Sequence, residues 1–277
     1  MEYKRILTIQ DISCVGQCSM TVALPILSAC GHETCILPTA LLSTHTGGFG
    51  RPAVVHLDGA LEGFWRHWRG QNVTFDAILV GYLGSVEAVE MAKTILTELL
   101  APGGVSIVDP AMADHGKLYS GFDEAYAKAM TELCRQADVI LPNITEAAMM
   151  AGMPYRESLD EGYVRSLLDG MNHKCVILTG TAFREGETGI GVKEGEALSF
   201  YFHPKLGGSY HGTGDMFAAA FAGSLMQGKT KLESVQIAAD FVCKAIENTM
   251  ENPAHWYGVK FETALPYLFE RLRDTVE

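Results

Sequence analysis

The chain has 277 residues, 48% of them hydrophobic, and a formal net charge of −12. Its 21 basic residues form no dense block, which argues against nucleic acid or an anionic membrane as partner. The length fits one large α/β domain or two small ones, and no Ser/Pro-rich linker, repeat or composition shift divides it. A single domain over residues 1–277, built on a substantial core, is expected.

Met1-Glu-Tyr-Lys-Arg5 leads into only a few apolar residues before Gln10-Asp11, too few for the apolar region of a signal peptide. No run reaches membrane-spanning length, so a soluble, cytoplasmic protein is expected. The seven cysteines, at 14, 18, 30, 35, 134, 175 and 243, are an odd number and are expected to be reduced, mostly core residues. Cys14, Cys18, His32 and Cys35 are the one grouping that suggests a metal. They lack the C-x-x-C pair of structural zinc sites, and no zinc is expected there.

In chain order, short apolar runs alternate with longer amphipathic ones. Residues 5–9, 34–37, 77–80, 105–108, 139–141 and 175–178 read as buried strands, since they are short and do not alternate with polar residues. Helical spacing occupies 86–100, 123–136, 144–151 and 159–168. This β-α-β succession predicts a doubly wound α/β fold with a mostly parallel sheet. Residues 189–192 and 197–202, separated by Lys193-Glu-Gly-Glu196, predict an antiparallel edge hairpin, and two helices, 214–227 and 231–250, close the domain. Ligands in such sheets bind at the carboxyl ends of the strands. The residues expected there are Gln10-Asp11, Gly81-Tyr82, Asp109-Pro110, Asn143 and Thr179-Gly180-Thr181.

Two phosphate signatures lie within His211 to Thr230. Gly223-Ser-Leu-Met-Gln-Gly228-Lys229-Thr230 has the spelling of a P-loop, which requires a strand, then the loop, then a helix. Gly223 instead sits inside an apolar helical run, Gly228 falls where that helix ends, and Thr230 with Glu233 forms a capping box. Gly212-Thr213-Gly214-Asp215 has the right polarity, because it precedes the helix and aims unpaired amides and the positive end of the macrodipole outward. Asp215 there could accept a proton from a substrate hydroxyl. Read alone, the tetrapeptide fits an anion hole and a plain capped turn equally well.

Gly212-Thr213-Gly214-Asp215 followed by Met-Phe-Ala-Ala-Ala resembles the C-terminal signature of ribokinase-like kinases. "ILTIQDISCVGQCS", "STHTGGF" (43–49), "GYLGS" (81–85), "VDPAMAD" (108–114) and "LPNITEA" (141–147) resemble, in order, motifs of the pyridoxal/pyridoxamine kinase branch. The resemblance implies ATP-dependent phosphorylation of the hydroxymethyl group of a B6 vitamer, with Mg²⁺ and, as a further candidate, a monovalent cation. It implies Asp215 as base and the amides of Gly212, Thr213, Gly214 and Asp215 as the hole for the transferring phosphoryl group. Asn143, Glu146 and Asp109 would organise Mg²⁺ partly through water, while Asp109, Asp114, Thr179 and Thr213 would meet the nucleotide. Asn143 and Glu146 also spell a capping box by themselves. Asp11, His45, Thr46 and Tyr82 would line the vitamer pocket. A homodimer is expected by analogy, and the last two helices are expected to form the adenine pocket.

One position departs from that branch, which reads I-Q-S after the first strand where this chain has Ile9-Gln10-Asp11. An ionised carboxylate cannot donate as serine does, so Asp11 is expected to face a positive group on the ligand. Two alternatives stand beside the B6 reading. One is hydroxymethylpyrimidine kinase, whose A-G-S-D opening is only echoed by Asp11. The other is a catalytically silent vitamer- or nucleotide-binding protein.

Overall fold

The computed structural model describes residues 3–208, 210–252 and 254–273. The chain opens with β1 (Arg5–Ser13), α1 (Met20–Ala29), β2 (Glu33–Leu42), β3 (Val54–His56) and α2 (Asp58–Gly70). It continues through β4 (Phe75–Val80), α3 (Val86–Leu99), β5 (Leu100–Val108), a small hairpin of β6 (Ala113–Asp114) and β7 (Lys117–Leu118), and α4 (Glu124–Gln136). Then come β8 (Val139–Ile140), α5 (Ile144–Ala151), α6 (Glu161–Gly170), β9 (Cys175–Thr181), β10 (Glu187–Glu194) and β11 (Ala197–Pro204). The helices α7 (Thr213–Met226), α8 (Lys231–Met250) and α9 (Leu265–Arg273) complete it.

Nine strands form one sheet in the order β11-β10-β9-β8-β5-β4-β1-β2-β3, parallel from β9 to β2 and antiparallel at both edges. The side-chain period of two explains why these strands are apolar throughout. In β4, Ile78 and Val80 enter the core under α2 to α6, whereas Ala77 and Leu79 enter the core under α1, α7 and α8. From β1 the chain passes to β2 on one side and later to β4 on the other. The sheet therefore reverses direction beside β1, and the carboxyl ends of β1 and β4 flank the crevice where such sheets place ligands.

The α/β class, the parallel sheet and the β10–β11 edge hairpin agree with the sequence expectation, and α5 has the predicted bounds. Several features differ. Strand β1 runs on to Ser13, so Gln10 and Asp11 lie inside it and not after it, and β5 begins at Leu100. Helix α1 was not predicted, since its buried Met20, Val22, Ala23, Ile26 and Leu27 leave little polar face and Pro25, a residue that disfavours helix interiors, lies within it. Helix α2, the edge strand β3 and the β6–β7 hairpin were also missed. A third helix, α9, follows the two expected to close the chain. Trp65 is a core residue, while Trp256 is 57% exposed.

Helix α7 passes through the core, with every residue from Met216 to Ser224 buried. Gly223 is what lets it approach α1, because a Cβ there would lie 2.5 Å from the Cys30 sulfur. The glycine of the apparent P-loop is thus a packing residue.

Candidate active site at the sheet's reversal point

Gly212 caps α7 with φ 79°, and no side chain bonds to that cap. Thr213 turns its hydroxyl back to the Tyr210 carbonyl (3.3 Å). The first-turn amides and the positive end of the helix dipole face the loop, an arrangement that suits a phosphoryl oxyanion. A left-handed residue is needed at position 212, and a Cβ would strike the Gln17 carbonyl. The anion loop therefore rests on the turn that follows β1. Asp215 stands in the first turn of α7, partly exposed, and one oxygen accepts the Ser19 amide at 2.9 Å. Burial raises its carboxyl to about 6, with the charge of Asp11 adding to the rise and the Ser19 amide opposing it.

Asp109 follows β5, its amide donating to the Val80 carbonyl (2.9 Å) and its Oδ1 accepting from Ala111 (3.1 Å). Burial drives its protonation well above the ordinary carboxylate range, and the negative charges of Glu146 and Asp215 act in the same direction. Asn143 and Glu146 do form the capping box of α5. Glu146, 1% exposed, also accepts the Met112 amide at 2.9 Å and the Ala113 amide at 3.4 Å, while Asn143 Nδ2 donates to the Ala113 carbonyl at 2.8 Å. Burial pushes the Glu146 carboxyl upward against these bonds. The pair thus ties the β6–β7 hairpin to α5 at the rim of the site. Thr179 joins the same place by a bridge to Asn143, its amide bonding the Pro142 carbonyl (2.9 Å). Asp114 lies exposed on the hairpin beside His115, and its charge reaches Glu146.

On the β1 side, Asp11 is 3% exposed. Its amide donates to the Tyr82 carbonyl (3.2 Å), and its Oδ2 accepts the Ser13 hydroxyl (3.0 Å). Tyr82 stacks on Phe122 with ring centres 5.2 Å apart, and Phe122 stacks in turn on Tyr126. His45 lies in the loop after β2, accepts the Gly47 amide at 2.9 Å, and packs its ring 4.6 Å from that of His211, next to the anion loop. Burial and the neighbouring His211 hold its imidazole below the ordinary range, so it is neutral at neutral pH. Thr46 is exposed on the same loop.

Asp109 thus senses the charges of Glu146 and Asp215, and Asp215 that of Asp11, which links the four carboxyls. Two participants were missed. Ser19, with φ 50° and ψ −128°, presents its amide to Asp215; it ends the stretch "ILTIQDISCVGQCS", but no role was expected for it. Tyr119, beyond β7, donates its amide to the Met112 carbonyl at 2.9 Å, and burial with the charges of Glu146, Asp109, Asp114 and Asp215 raises its phenol. A cleft of about 560 Å³ lies elsewhere. Lys4, Val105, Val139, Cys175 and Lys231 line it at the amino ends of the strands, away from these groups.

The residues fit a hydrated divalent cation better than a bare one. Among the described residues no group of three or more His, Cys, Asp or Glu side chains is spaced to ligate a metal directly. Asn143 and Glu146 are committed to backbone groups, yet the charges acting on Asp109 are both negative, which favours a cation held through water. His32 bonds the Gly223 carbonyl through Nε2, and the seven cysteines are free thiols.

A doubly wound sheet with an acid and an uncapped glycine turn at one helix start defines a phosphotransferase of the ribokinase-like class. The family model described as phosphomethylpyrimidine kinase matches residues 68–259, more than half the chain. The crystal structure of pyridoxal kinase from Lactobacillus plantarum is 35% identical, covers 97% of this chain and 98% of its own, and superimposes with a TM-score of 0.89. A Bacteroides thetaiotaomicron protein assigned as a phosphomethylpyrimidine kinase and solved with pyridoxal is 31% identical, with 97% and 96% coverage and a TM-score of 0.89. The pyridoxine/pyridoxal/pyridoxamine kinase of Bordetella bronchiseptica is 28% identical over 265 residues, 89% of each chain. The chain belongs to the phosphomethylpyrimidine kinase family.

Proposed function

We propose that the protein transfers the γ-phosphoryl group of ATP to the hydroxymethyl group of a B6 vitamer, giving the 5′-phosphate. The observation that carries the reading is Asp215, a carboxyl raised to about 6 at the head of α7, beside a first turn whose N-cap, Gly212, has no side chain to cap it. Phosphoryl transfer asks the protein mainly for alignment and charge neutralisation. Asp215 takes the proton of the substrate hydroxyl, and the amides from Gly212 to Asp215 receive the transferring oxygens. Asp109, Asn143 and Glu146 would hold a hydrated Mg²⁺, which would neutralise phosphate charge, and a monovalent cation is a further candidate for the same acidic rim. Thr179 and Thr213 meet nucleotide phosphate, with Asp114 at the margin on its hairpin. Tyr82, His45, Thr46 and Asp11 border the vitamer.

The whole chain acts as one kinase domain, and by analogy with relatives as a homodimer. The free thiols suit the cytoplasm, and among the described residues no helix is long and apolar enough to cross a membrane. A second reading, hydroxymethylpyrimidine kinase, is favoured by the description of the matching family. Magnesium-dependent ADP release, measured with pyridoxal, pyridoxine, pyridoxamine and hydroxymethylpyrimidine side by side, tests both. Turnover of the vitamers with higher kcat/KM is expected. Turnover of hydroxymethylpyrimidine alone replaces the first reading by the second, and binding without turnover leaves only a ligand-binding protein.

A further inference from the structure

The connection between α8 and α9 lies outside every motif that resembles the kinase branch, yet it reaches two parts of the site at once. Its root is fixed, since Val259 and Phe261 are buried in the core shared with α7 and α8, and the Lys260 amide donates to the Thr249 hydroxyl of α8 at 2.9 Å. From that root two ties run outward. In the first, the two carboxylate oxygens of Glu262 accept from Gln17 Nε2 at 2.9 and 3.1 Å. Beside this bond Gly258 packs closely on the turn after β1, where a Cβ would lie 2.9 Å from the Gln17 Cβ and 3.1 Å from the Gly16 carbonyl. Gln17 is the residue whose own carbonyl meets Gly212, so the first tie ends beneath the anion loop.

The second tie ends on the loop after β2, which carries His45 and Thr46. That loop is pinned at its inner end by backbone bonds, the His45 amide to the Val15 carbonyl at 2.7 Å and the Ser43 amide to the Ala53 carbonyl at 2.9 Å. Its outer limb is held by rings instead. Phe49 packs on Trp256 with ring centres 4.6 Å apart and on Tyr257 at 5.2 Å, and Trp256 meets Tyr257 edge to face at 5.2 Å. Gly48 has φ 83°, and a Cβ there would lie 2.6 Å from the Trp256 ring, so the indole rests directly on the loop backbone. The usual gain from an aromatic side chain is burial in a core. Here Trp256 is 57% exposed, and what it covers is the Gly48–Phe49 limb.

We infer that Trp256 is a positioning residue of the acceptor pocket, and that the connection from 254 to 262 is the strap through which it holds the loop after β2 ready for the ligand. The inference rests on the B6 reading, which places His45 and Thr46 beside the vitamer, and adds a residue that acts through their loop. A loop that is free must be ordered at the moment of binding, and the apparent affinity falls with the fraction of molecules in which it is out of place. A loop packed in advance on Trp256 avoids that loss. Because the strap also bonds Gln17, the acceptor loop and the anion loop are both referred to one rigid root on α8.

Wild type, Trp256→Ala, Trp256→Phe, Phe49→Ala and the double variant of Trp256→Ala with Phe49→Ala are to be compared on the full chain. Two quantities are read: backbone amide exchange of residues 43–50 without ligand, and the KM for pyridoxal set against the KM for ATP and kcat. Loss of the ring contacts predicts faster exchange of 43–50 in Trp256→Ala and a rise in pyridoxal KM of about 10-fold. The KM for ATP and kcat should stay within about 3-fold and Tm within about 2 °C, as befits a side chain more than half exposed. Phe49→Ala should do the same, and the double variant should be no worse than either single one, because both remove one contact. Trp256→Phe keeps a ring on the loop and should restore most of the affinity. An unchanged pyridoxal KM or an unchanged exchange rate in Trp256→Ala overturns the inference, as does a double variant whose losses multiply. An equal rise in the KM for ATP, or a large drop in Tm, also overturns it, since that is the mark of a merely structural residue. If wild type turns over no vitamer, it is the B6 reading that fails, and amide exchange alone then decides whether Trp256 holds the loop.

Discussion

Asp215 has two properties that a proton acceptor needs, access to the site and a carboxyl poised near the working pH. Burial is the main cause of the poise, so an amide in its place keeps the shape and removes the chemistry. Asp215→Asn is expected to lower kcat by about 10²- to 10⁴-fold while nucleotide affinity stays within a few-fold. In wild type kcat/KM should fall as pH drops below about 6, where the carboxyl becomes protonated. A variant with near-normal kcat would remove Asp215 from the mechanism. At this scale the sequence was legible where a residue lies in a contiguous motif, as for Gly212 to Asp215. Asp11 was expected after the first strand and lies inside it, because a bulge cannot be read from residues 9–13 alone. Ser19 and Tyr119 were given no role, since a turn with φ 50° at Ser19 and the short β6–β7 hairpin, neither readable from the sequence, set where they lie.

At the scale of elements, the functional unit is the start of α7 held against the turn after β1. Gly212 is left-handed, and any Cβ there strikes the Gln17 carbonyl, a backbone atom that cannot rotate aside. Gly212→Ala is therefore expected to distort the anion loop and lower kcat by about 10²- to 10³-fold, the loss typical of a single oxyanion donor. Vitamer binding, proposed to rest on residues of β1 and the loop after β4, should change much less. Equal loss of binding and turnover would mean that the substitution unfolds the domain instead, and a thermal melt separates the two cases. The same helix explains why the apparent P-loop misleads. Its letters begin at Gly223, about 12 Å along α7 from Asp215 at 1.5 Å per residue, and run on past the helix end; Gly223 packs on α1 and Thr230 caps α8. The parallel strands were readable because burial on both faces leaves them uniformly apolar. Helix α1 was not, for the same reason, since a helix buried nearly all round shows no period.

Across the whole molecule, several carboxyls are held above their ordinary range on one rim, with consequences for stability. Asp215 is raised to about 6, and burial moves Asp109 and Glu146 in the same direction. A carboxyl raised in the folded state binds its proton more tightly there than in the unfolded chain. Its favourable contribution is complete below the ordinary carboxylate pKa and is lost as pH rises through the folded value. Without divalent cation, Tm should therefore fall between about pH 5 and about pH 8. Added Mg²⁺ should raise Tm more at the higher pH, where the rim is fully ionised and binds the ion best. The net charge of −12 could produce a similar slope by general repulsion, so a variant must separate the causes. Asp109→Asn removes one charge from the rim and little from the total, and it is expected to flatten the slope and to blunt the Mg²⁺ effect. A slope unchanged in that variant would assign the pH dependence to the surface, and a Tm indifferent to Mg²⁺ at both pH values would remove the cation from the rim.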